Sequence, residues 1–353
     1  MNFKGITLAV LSFVLVAVSC SVENDAYMND VNKEMASVSE EYASLSFNIG
    51  MGGQTKSVSG PTTESASPLE SQINNCIIVL TEGNAASSKI VALQNATNDV
   101  IVPVEGDKLA VNANMLIKAK DNLYAIAIAN ADYSTFSSCN TLGDLESRTL
   151  TLSQDNLVKV SQPVAVGAIP AEYKSTSTKG TDVYTIPDVL TLTQLTAKVE
   201  LVAFNVSYTG DNDESLEAPV VVLQKIALAN AKSESHIFSQ AGNSFATDLV
   251  KEGAIDYTTA GTLFSCYTFQ NNDPNNKTAL ELTVKIGTKD AKVKSYTIKT
   301  SENGETLEVV KPGYIYRVTV NLSVNKISKE FDVALQYEAV PFQAVTVNIP
   351  DFD

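Results

Sequence analysis

Apolar and polar residues alternate along much of this 353-residue chain, and this period-two pattern restricts the fold more than any other feature. Successive side chains of a β-strand point to opposite faces, so strict alternation is typical of a half-buried strand. The first clear case places Ala43, Leu45, Phe47 and Ile49 on one face. Similar runs predict further strands at 76–80, 100–104, 108–111, 115–119, 123–129, 158–169, 183–186, 190–204, 220–229, 262–269, 279–286, 293–298, 314–324 and 331–347. The fold class is therefore predicted to be all-β.

The number of strands and the turn-rich gaps between them fit two tandem β-sandwiches. The long β-run at 190–204 is predicted to open the second sandwich, with the boundary near Pro187. This gives an N-terminal domain at 42–186 and a C-terminal domain at 187–353. Residues 133–157 interrupt the strand series, and Leu142, Leu145 and Leu150 make them the best candidate for a helix or a long irregular excursion.

The N-terminus has the pattern of an export signal. Lys4 precedes an apolar stretch at 5–18, which is too short to span a bilayer but suits the core of a signal peptide. The stretch ends in Leu15-Val-Ala-Val-Ser-Cys20, which resembles the lipobox of bacterial lipoproteins. We predict a signal peptide at 1–19, lipidation of Cys20 and an acidic tether at 20–41, so that lipid alone anchors the chain. The alternative is an ordinary signal peptide in which the cysteine occurs by chance.

Charge and residue usage exclude several classes of function. The chain has 25 Lys and Arg against 40 Asp and Glu, a net charge of −15, so it lacks the basic face that nucleic acid requires. It has one histidine, His236, and neither a GxSxG nor a CxxC motif. We therefore predict no enzyme activity, no cofactor and no metal site.

The cysteines downstream of the signal leave two alternatives open. Cys76 and Cys139 can form a disulfide after export, or these two and Cys266 can remain buried free thiols.

The two ends of the chain carry the most unusual pattern. The strand at 43–49 is followed by a loop of Gly, Ser and Thr with one basic residue, Lys56. A protease cut between Lys56 and Ser57 would remove the lipid, the tether and the strand together. The strand's loss from a sheet would expose an edge that recruits another strand. The tail of the chain offers alternating apolar residues for this role: Phe331, Val333, Leu335, Tyr337, Val345, Val347 and Ile349.

The simpler interpretation is that both termini are ordinary sandwich strands and that Lys56 is a solvated loop lysine. The residue pattern by itself favours this interpretation.

The order of motifs along nearly the whole chain resembles the fimbrillin family of Bacteroidetes, the subunits of type V pili. The resemblance starts with the lipobox, the acidic tether, the alternating strand and the loop with its trypsin-type site. Further segments follow in the family's order: 81–84 (TEGN), 163–168 (PVAVGA), 195–201 (LTAKVEL), 222–231 (VLQKIALANA), 266–271 (CYTFQN) and 314–322 (YIYRVTVNL).

The resemblance implies two transthyretin-like β-sandwich domains and a function without catalysis or cofactor. It also implies an outer-membrane lipoprotein precursor, cleavage by a Lys- or Arg-specific protease, and growth of an extracellular adhesive fimbrium by donor-strand exchange between identical or related subunits. Carried over, the cut falls at Lys56–Ser57. The expelled strand holds Ala43, Leu45, Phe47 and Ile49, and the donor lies within 331–352, with Val333, Leu335, Tyr337, Val345, Val347 and Ile349 as its apolar residues.

The chain departs from the family at the cut, where stalk subunits often have Arg and this chain has Lys56. The departure leaves open a tip, anchor or accessory subunit that keeps its first strand, or processing by a Lys-specific protease. A further alternative, from a different class, is a lipid-anchored surface binding protein that never polymerises.

Overall fold

The computed structural model describes residues 41–51, 68–97, 101–103, 108–119, 122–176, 182–210, 216–238, 242, 244–302 and 305–341. The described part belongs to one compact unit that begins at Glu41. The predicted signal peptide, Cys20, the tether up to residue 40, Lys56, Ser57, Val345, Val347 and Ile349 lie outside the described residues.

Ten strands come from the first half of the chain. They are β1 (Tyr42–Met51), β2 (Asn75–Thr81), β3 (Ile90–Thr97), β4 (Ile101–Pro103), β5 (Lys108–Lys118), β6 (Tyr124–Ala129), β7 (Leu150–Thr151), β8 (Lys159–Ser161), β9 (Val164–Ala165) and β10 (Val183–Gln194). All except β7 join one nine-stranded sheet in the order β3-β2-β6-β8-β10-β1-β5-β4, with β9 paired to β6.

This first sheet curls around its own core. Apolar side chains of β1, β2, β5, β6 and β10 meet in one buried cluster, although these strands lie far apart in the sheet order. The strand β3 also lies close to β5, near the opposite end of the order. A single curled sheet therefore encloses the core that the sequence assigned to two separate layers of a sandwich.

The region at 133–157, predicted to be a helix or a long irregular excursion, contains two short helices. They are α2 (Tyr133–Phe136) and α3 (Leu142–Glu146). A further short helix, α1 (Pro68–Ser71), precedes β2, and a 3-10 turn spans Ala171–Tyr173. The N-terminus of α3 is fixed by a capping box, in which Thr141 Oγ1 accepts from the amide of Asp144 and the Asp144 carboxylate accepts from the amide of Thr141. Leu142 and Leu145 pack on the outer face of the first sheet. No helix among the described residues is long and apolar enough to cross a membrane.

Eleven strands come from the second half. They are β11 (Thr196–Thr209), β12 (Val221–Ala229), β13 (Glu234–Ser235), β14 (Val250–Ile255), β15 (Phe264–Phe269), β16 (Ala279–Ile286), β17 (Lys292–Thr297), β18 (Thr300–Glu302), β19 (Glu305–Leu307), β20 (Tyr314–Asn325) and β21 (Phe331–Pro341). They form two four-stranded sheets, β15-β11-β20-β21 and β14-β12-β16-β17, and two short pairs, β13-β7 and β18-β19. Both larger sheets contribute to one apolar core, as in a β-sandwich.

The last strand of the first sheet ends later in the chain than the domain boundary predicted near Pro187. The strand β10 continues through Pro187 to Gln194, and its last residues pair with β8 of the first sheet. Leu195 separates β10 from β11. The pattern at 183–204 predicted two strands, with the break placed at the proline. Pro187 lies within one continuous strand because it falls in a bulge. At that position the proline's lack of an amide hydrogen does not break the ladder of hydrogen bonds to β1.

Six described strands lie where the sequence predicted none: β3, β14 and the two- or three-residue strands β7, β13, β18 and β19. Both β3 and β14 have a polar half, Gln94 to Thr97 in one and Lys251 to Gly253 in the other, so neither shows a full alternating pattern. Each pairs along one edge with a strongly apolar strand, β2 or β12, and this pairing provides the ordering that the local sequence lacks.

Replacing Tyr316 tests the packing of the apolar core between the two four-stranded sheets, which we call the second core. The tyrosine ring is fully buried, its hydroxyl lies 2.7 Å from Thr300 Oγ1, and it accepts a 2.8 Å hydrogen bond from the amide of Lys311. We expect Tyr316→Phe to lower the free energy of unfolding by about 1–3 kcal/mol, because buried polar partners lose a hydrogen bond. Urea denaturation measures this loss. The matched variant Tyr314→Phe, on the same strand, should change the free energy of unfolding by less than about 0.5 kcal/mol. Equal losses in the two variants would show that the buried hydrogen bonds of the Tyr316 hydroxyl do not stabilise the core.

Candidate functional site

The strand β1, predicted from its alternation, lies inside the first sheet. It pairs parallel with β10 along one edge, where Phe47 is in register with Ile186, and antiparallel with β5 along the other, where Ile49 is in register with Leu109. Both rows of backbone donors and acceptors are thus engaged. The loss of β1 would open two strand edges, and unpaired edges recruit other strands.

The predicted apolar face of β1 is completely enclosed. Ala43, Leu45 and Phe47 are 0% exposed and Ile49 is 1% exposed. They pack into the core of the first sheet with side chains that include those of Ile78, Met115, Leu190 and Leu192. Burying a side chain the size of Leu, Ile or Phe stabilises a fold by about 1.5–3 kcal/mol. The four residues therefore fill a groove that would be apolar and open to water without them.

The opposite face of β1 makes specific polar contacts. Ser46 is buried, and its Oγ lies 2.8 Å from Thr185 Oγ1 on β10. The Asn48 side chain donates a hydrogen bond of 3.4 Å to the Ile186 carbonyl. The positions of Ser46 and Asn48 along β1 are thus matched to partners on β10.

A bulge explains why an amide side chain lies at position 48. Phe47 pairs with Ile186 and Asn48 pairs with Val189, so Pro187 and Asp188 have no partner on β1. Proline has no amide hydrogen and is tolerated in sheets at such irregularities. The bulge interrupts the backbone ladder beside Ile186, and the Asn48 side chain donates to the carbonyl there.

The N-terminal end of β1 is closed by backbone hydrogen bonds. The amide of Tyr42 donates to the Ser175 carbonyl at 2.8 Å, and the amide of Ser175 donates back at 2.9 Å. The amide of Ala119 donates to the Glu41 carbonyl at 2.7 Å. The described part of β1 ends at Met51, and the chain is described again from α1. The interval at 52–67, which contains Lys56 and Ser57, therefore connects the enclosed strand to α1.

The helix α1 is tied to the second half of the molecule by a buried carboxylate. Glu70 is 3% exposed; its Oε1 accepts a 2.9 Å hydrogen bond from the Tyr267 hydroxyl and lies 3.1 Å from Lys198 Nζ. Lys198 also pairs with Glu200 at 2.7 Å, and Arg317 pairs with Glu200 at 3.2 Å. The chain is thus held firmly just after the interval that contains Lys56. Sequence analysis did not single out this network, because its members are spread over 248 positions from Glu70 to Arg317.

A buried lysine holds the residues that follow α1. Lys159 is fully buried, and its Nζ donates to the carbonyls of Gln72, at 3.0 Å, and Leu157, at 3.1 Å. The Asn130 side chain donates to the same two carbonyls. Burial lowers the pKa of Lys159 to about 8, and the charge of Glu70 offsets part of that shift.

The strand β21 contains the described half of the predicted donor segment. It lies at the edge of its sheet and pairs antiparallel with β20 over its whole length. Val333 is partly buried against the second core, whereas Leu335 and Tyr337 are each 37% exposed. Val333, Leu335 and Tyr337 are thus engaged in the chain's own second sheet. The structure does not bring them together with β1.

The three described cysteines and the histidine show no arrangement suited to nucleophilic catalysis. Cys76, Cys139 and Cys266 are buried free thiols, and burial raises the pKa of Cys76 and of Cys266 to about 12. His236 lines a cavity of about 270 Å³, where the neighbouring Ser235 hydroxyl donates to the His236 backbone carbonyl and not to its ring. Within the described residues there is no cluster of His, Cys, Asp and Glu that could hold a metal ion.

Comparison with known proteins gives matches among solved structures. No family model matches the chain, and no curated protein matches it. A candidate cell adhesion protein from Parabacteroides distasonis is 17% identical with a TM-score of 0.63, and the match covers 86% of this chain and 98% of that one.

Two fimbrial structures from Porphyromonas gingivalis also match. The tip fimbrial protein Mfa3, with a C-terminal truncation, is 12% identical with a TM-score of 0.51 over 85% of this chain and 100% of that one. A fimbrilin, FimA, is 15% identical with a TM-score of 0.50 over 87% and 99%. The likeness predicted from the order of motifs is thus confirmed for the fold. Over most of its length, this chain has the fold of Bacteroidetes fimbrial and cell adhesion proteins.

The enclosure of β1 predicts a large effect of truncating its central side chain. We expect Phe47→Ala to lower the free energy of unfolding of the uncut chain by about 3–5 kcal/mol, because a buried aromatic side chain leaves a cavity. Leu116→Ala, at a 43% exposed position on the neighbouring β5, is the control and should cost less than about 1 kcal/mol. Thermal or urea unfolding measures both. Equal losses would show that β1 does not fill the core.

The lowered pKa of Lys159 predicts a stability that rises with pH. The folded state releases this proton near pH 8 and the unfolded state near the ordinary 10.5, so the unfolded state binds more protons between these values. The free energy of unfolding should therefore rise across this window by up to about 3 kcal/mol relative to Lys159→Met. At pH 7 the variant should be no less stable, since Asn130 still donates to both carbonyls. Lys89→Met is the exposed control, and a wild-type curve parallel to that of Lys159→Met would contradict this prediction.

Proposed function

We propose that this chain is a structural, non-enzymatic subunit of a type V pilus. In this proposal it is exported as a lipoprotein with lipid on Cys20, reaches the outer membrane, and is cut between Lys56 and Ser57 by a Lys- or Arg-specific protease. The cut subunit loses β1 and polymerises by donor-strand exchange with identical or related subunits into an extracellular, adhesive fimbrium. The shared fold with fimbrial proteins supports this proposal.

The enclosure of β1 between β5 and β10 is the observation that carries the proposal. A strand with both edges paired and its apolar face 0–1% exposed cannot leave without opening a long apolar groove. Such a groove, with two open edges, selects an extended segment with alternating apolar residues. The tail of the chain has this pattern at Val345, Val347 and Ile349.

The cut would decide which strand occupies the groove. In the uncut chain, β1 is covalently joined to the sheet through the interval at 52–67, so its effective concentration at the groove is high. Cleavage at Lys56 would abolish this advantage and allow a segment of another molecule to compete. The buried Glu70 would meanwhile hold α1 in place after the cut.

The position of Lys56 supports a single cut. It is the only basic residue between Lys33 and Lys89. After removal of residues 1–56 the chain keeps 22 basic and 34 acidic residues, a net charge of −12. Subunits that carry the same charge repel one another along a fibre, so strand pairing would have to hold the polymer together.

A second candidate is an anchor or tip subunit, or a lipid-anchored surface binding protein, that keeps β1. The specific observation in its favour is that β1 is fully paired and buried in the uncut chain. The two candidates differ in the mature N-terminus on intact cells, which would be Ser57 for a cut stalk subunit and lipidated Cys20 for an uncut protein.

Limited digestion of purified precursor with trypsin tests the stalk function. We expect a single early cut, a new N-terminus at Ser57 by mass spectrometry, release of the β1 peptide, and a ladder of polymers on SDS gels run without boiling. The ladder should be absent for Lys56→Ala and retained for Lys89→Ala, whose lysine is exposed but lies downstream of β1. A cut at Lys56 that yields no ladder would favour the anchor or binding function.

A further inference from the structure

We propose that residues 344–349 of a second copy of this chain take the places of residues 44–49, in the same chain direction and position for position. This inference rests on the proposed function and adds the register and polarity of the incoming strand. The inserted segment would lie parallel to β10 and antiparallel to β5, as β1 does.

The two segments match residue by residue. The outgoing strand has Leu45-Ser46-Phe47-Asn48-Ile49, and the tail has Val345-Thr346-Val347-Asn348-Ile349. Each reads, from N- to C-terminus, as an apolar residue, a hydroxyl residue, an apolar residue, asparagine and isoleucine. The match therefore includes the polar face of the strand as well as the apolar face, and alternation alone does not demand this.

The polar face of β1 sets the direction of insertion. In β1, position 46 presents a hydroxyl to Thr185 Oγ1, and position 48 presents an amide that reaches the Ile186 carbonyl beside the bulge. Insertion in the direction of β1 supplies these groups from Thr346 and Asn348. The reversed strand would place Asn348 against Thr185 and the shorter Thr346 beside the carbonyl.

The apolar face sets the register. A slip of one residue turns Thr346 and Asn348 into the core, because side chains alternate between the faces of a strand. A slip of two residues one way puts Asp351 in the place of Ile49, and a slip the other way puts Gln343 in the place of Leu45. Both places are at most 1% exposed, and burying an unpaired carboxylate or amide there is strongly unfavourable.

The match ends at definite residues on both sides. Pro350 would fall at the place of Gly50, where even a Cβ would lie 2.9 Å from Val189 Cγ1 and where proline has no amide to donate. Gln343 would fall at the place of the fully buried Ala43. The inserted strand therefore spans residues 344–349.

The side chains of the tail are smaller than those they replace at two of the three apolar positions. Val345 replaces Leu45, and Val347 replaces Phe47, whose side chain is among the largest fully buried ones in the described structure. The tail fills the groove less completely than β1 does. It would therefore compete poorly while β1 is still joined to the chain, and this dependence on cleavage would keep the precursor from polymerising early.

A cysteine pair tests the register directly. Because Ser46 Oγ lies 2.8 Å from Thr185 Oγ1, a cysteine at position 346 in the proposed register meets a cysteine at position 185. Full-length Thr185→Cys/Thr346→Cys is cut with trypsin, allowed to polymerise, oxidised mildly and boiled without reductant. We expect a covalent ladder that reductant abolishes. Cys76, Cys139 and Cys266 are buried thiols that every variant also carries. The single variant Thr185→Cys measures how much cross-linking occurs without the second introduced cysteine.

Two matched pairs report the wrong registers. Thr185→Cys/Asn348→Cys would cross-link if the strand were reversed or slipped by two residues one way, and Thr185→Cys/Ala344→Cys if it were slipped the other way. A ladder from either control pair in place of the Thr346 pair overturns the register. A cross-linked monomer without a ladder overturns the assignment to a second copy.

The same experiment distinguishes an error in the proposed function from an error in the register. If wild-type protein is cut but forms no SDS-resistant polymer, strand exchange itself is wrong, and the register is overturned with it. If the polymer forms in every variant but no pair cross-links, the register alone is overturned and the pilus function stands. Gel filtration and thermal melting of the uncut variants confirm that each is folded before the test.

Discussion

The two-sided backbone pairing of β1 is the interaction on which the first half of the molecule depends. β1 joins β10 to β5, so the nine-stranded sheet is continuous only while it is present. Its apolar face also fills the core that the curled sheet encloses. One ten-residue segment thus completes both the hydrogen-bond ladder and the packing. A strand in this position is costly to remove, and its place readily accepts a substitute of the same pattern.

The rest of the structure limits the consequences of removing that strand. Glu70 joins α1 to Lys198 and Tyr267 of the second region, and Lys159 holds the carbonyl of Gln72. These buried polar contacts hold the chain immediately after the interval that contains Lys56, so loss of β1 need not loosen the residues that follow. A buried ion pair adds little net stability, but it fixes one geometry because any other arrangement leaves a charge unpaired.

Much of the fold could be predicted from alternation, because a half-buried strand requires it. The strands around Leu45, Ile78, Ile126, Leu223 and Val318 were all predicted from their residues. The strands β3 and β14 were not, since half of each is polar and only a neighbouring strand orders it. The boundary near Pro187 was displaced for a related reason, because a bulge keeps that proline within β10. The burial of Ala43, Leu45, Phe47 and Ile49 followed from their spacing alone, whereas the contacts of Ser46 and Asn48 did not.

The sequence by itself determined that the chain is mostly β, that β1 has one apolar face, and that a tail with the same pattern follows β21, because these are properties of neighbouring residues. Only the tertiary structure decided that β1 lies between two strands and not at an edge, that Val333, Leu335 and Tyr337 already belong to the chain's own second sheet, and that Glu70 meets Lys198 and Tyr267. These facts depend on pairings between separate segments of the chain, at separations of up to 197 positions between Glu70 and Tyr267, and no local pattern specifies them.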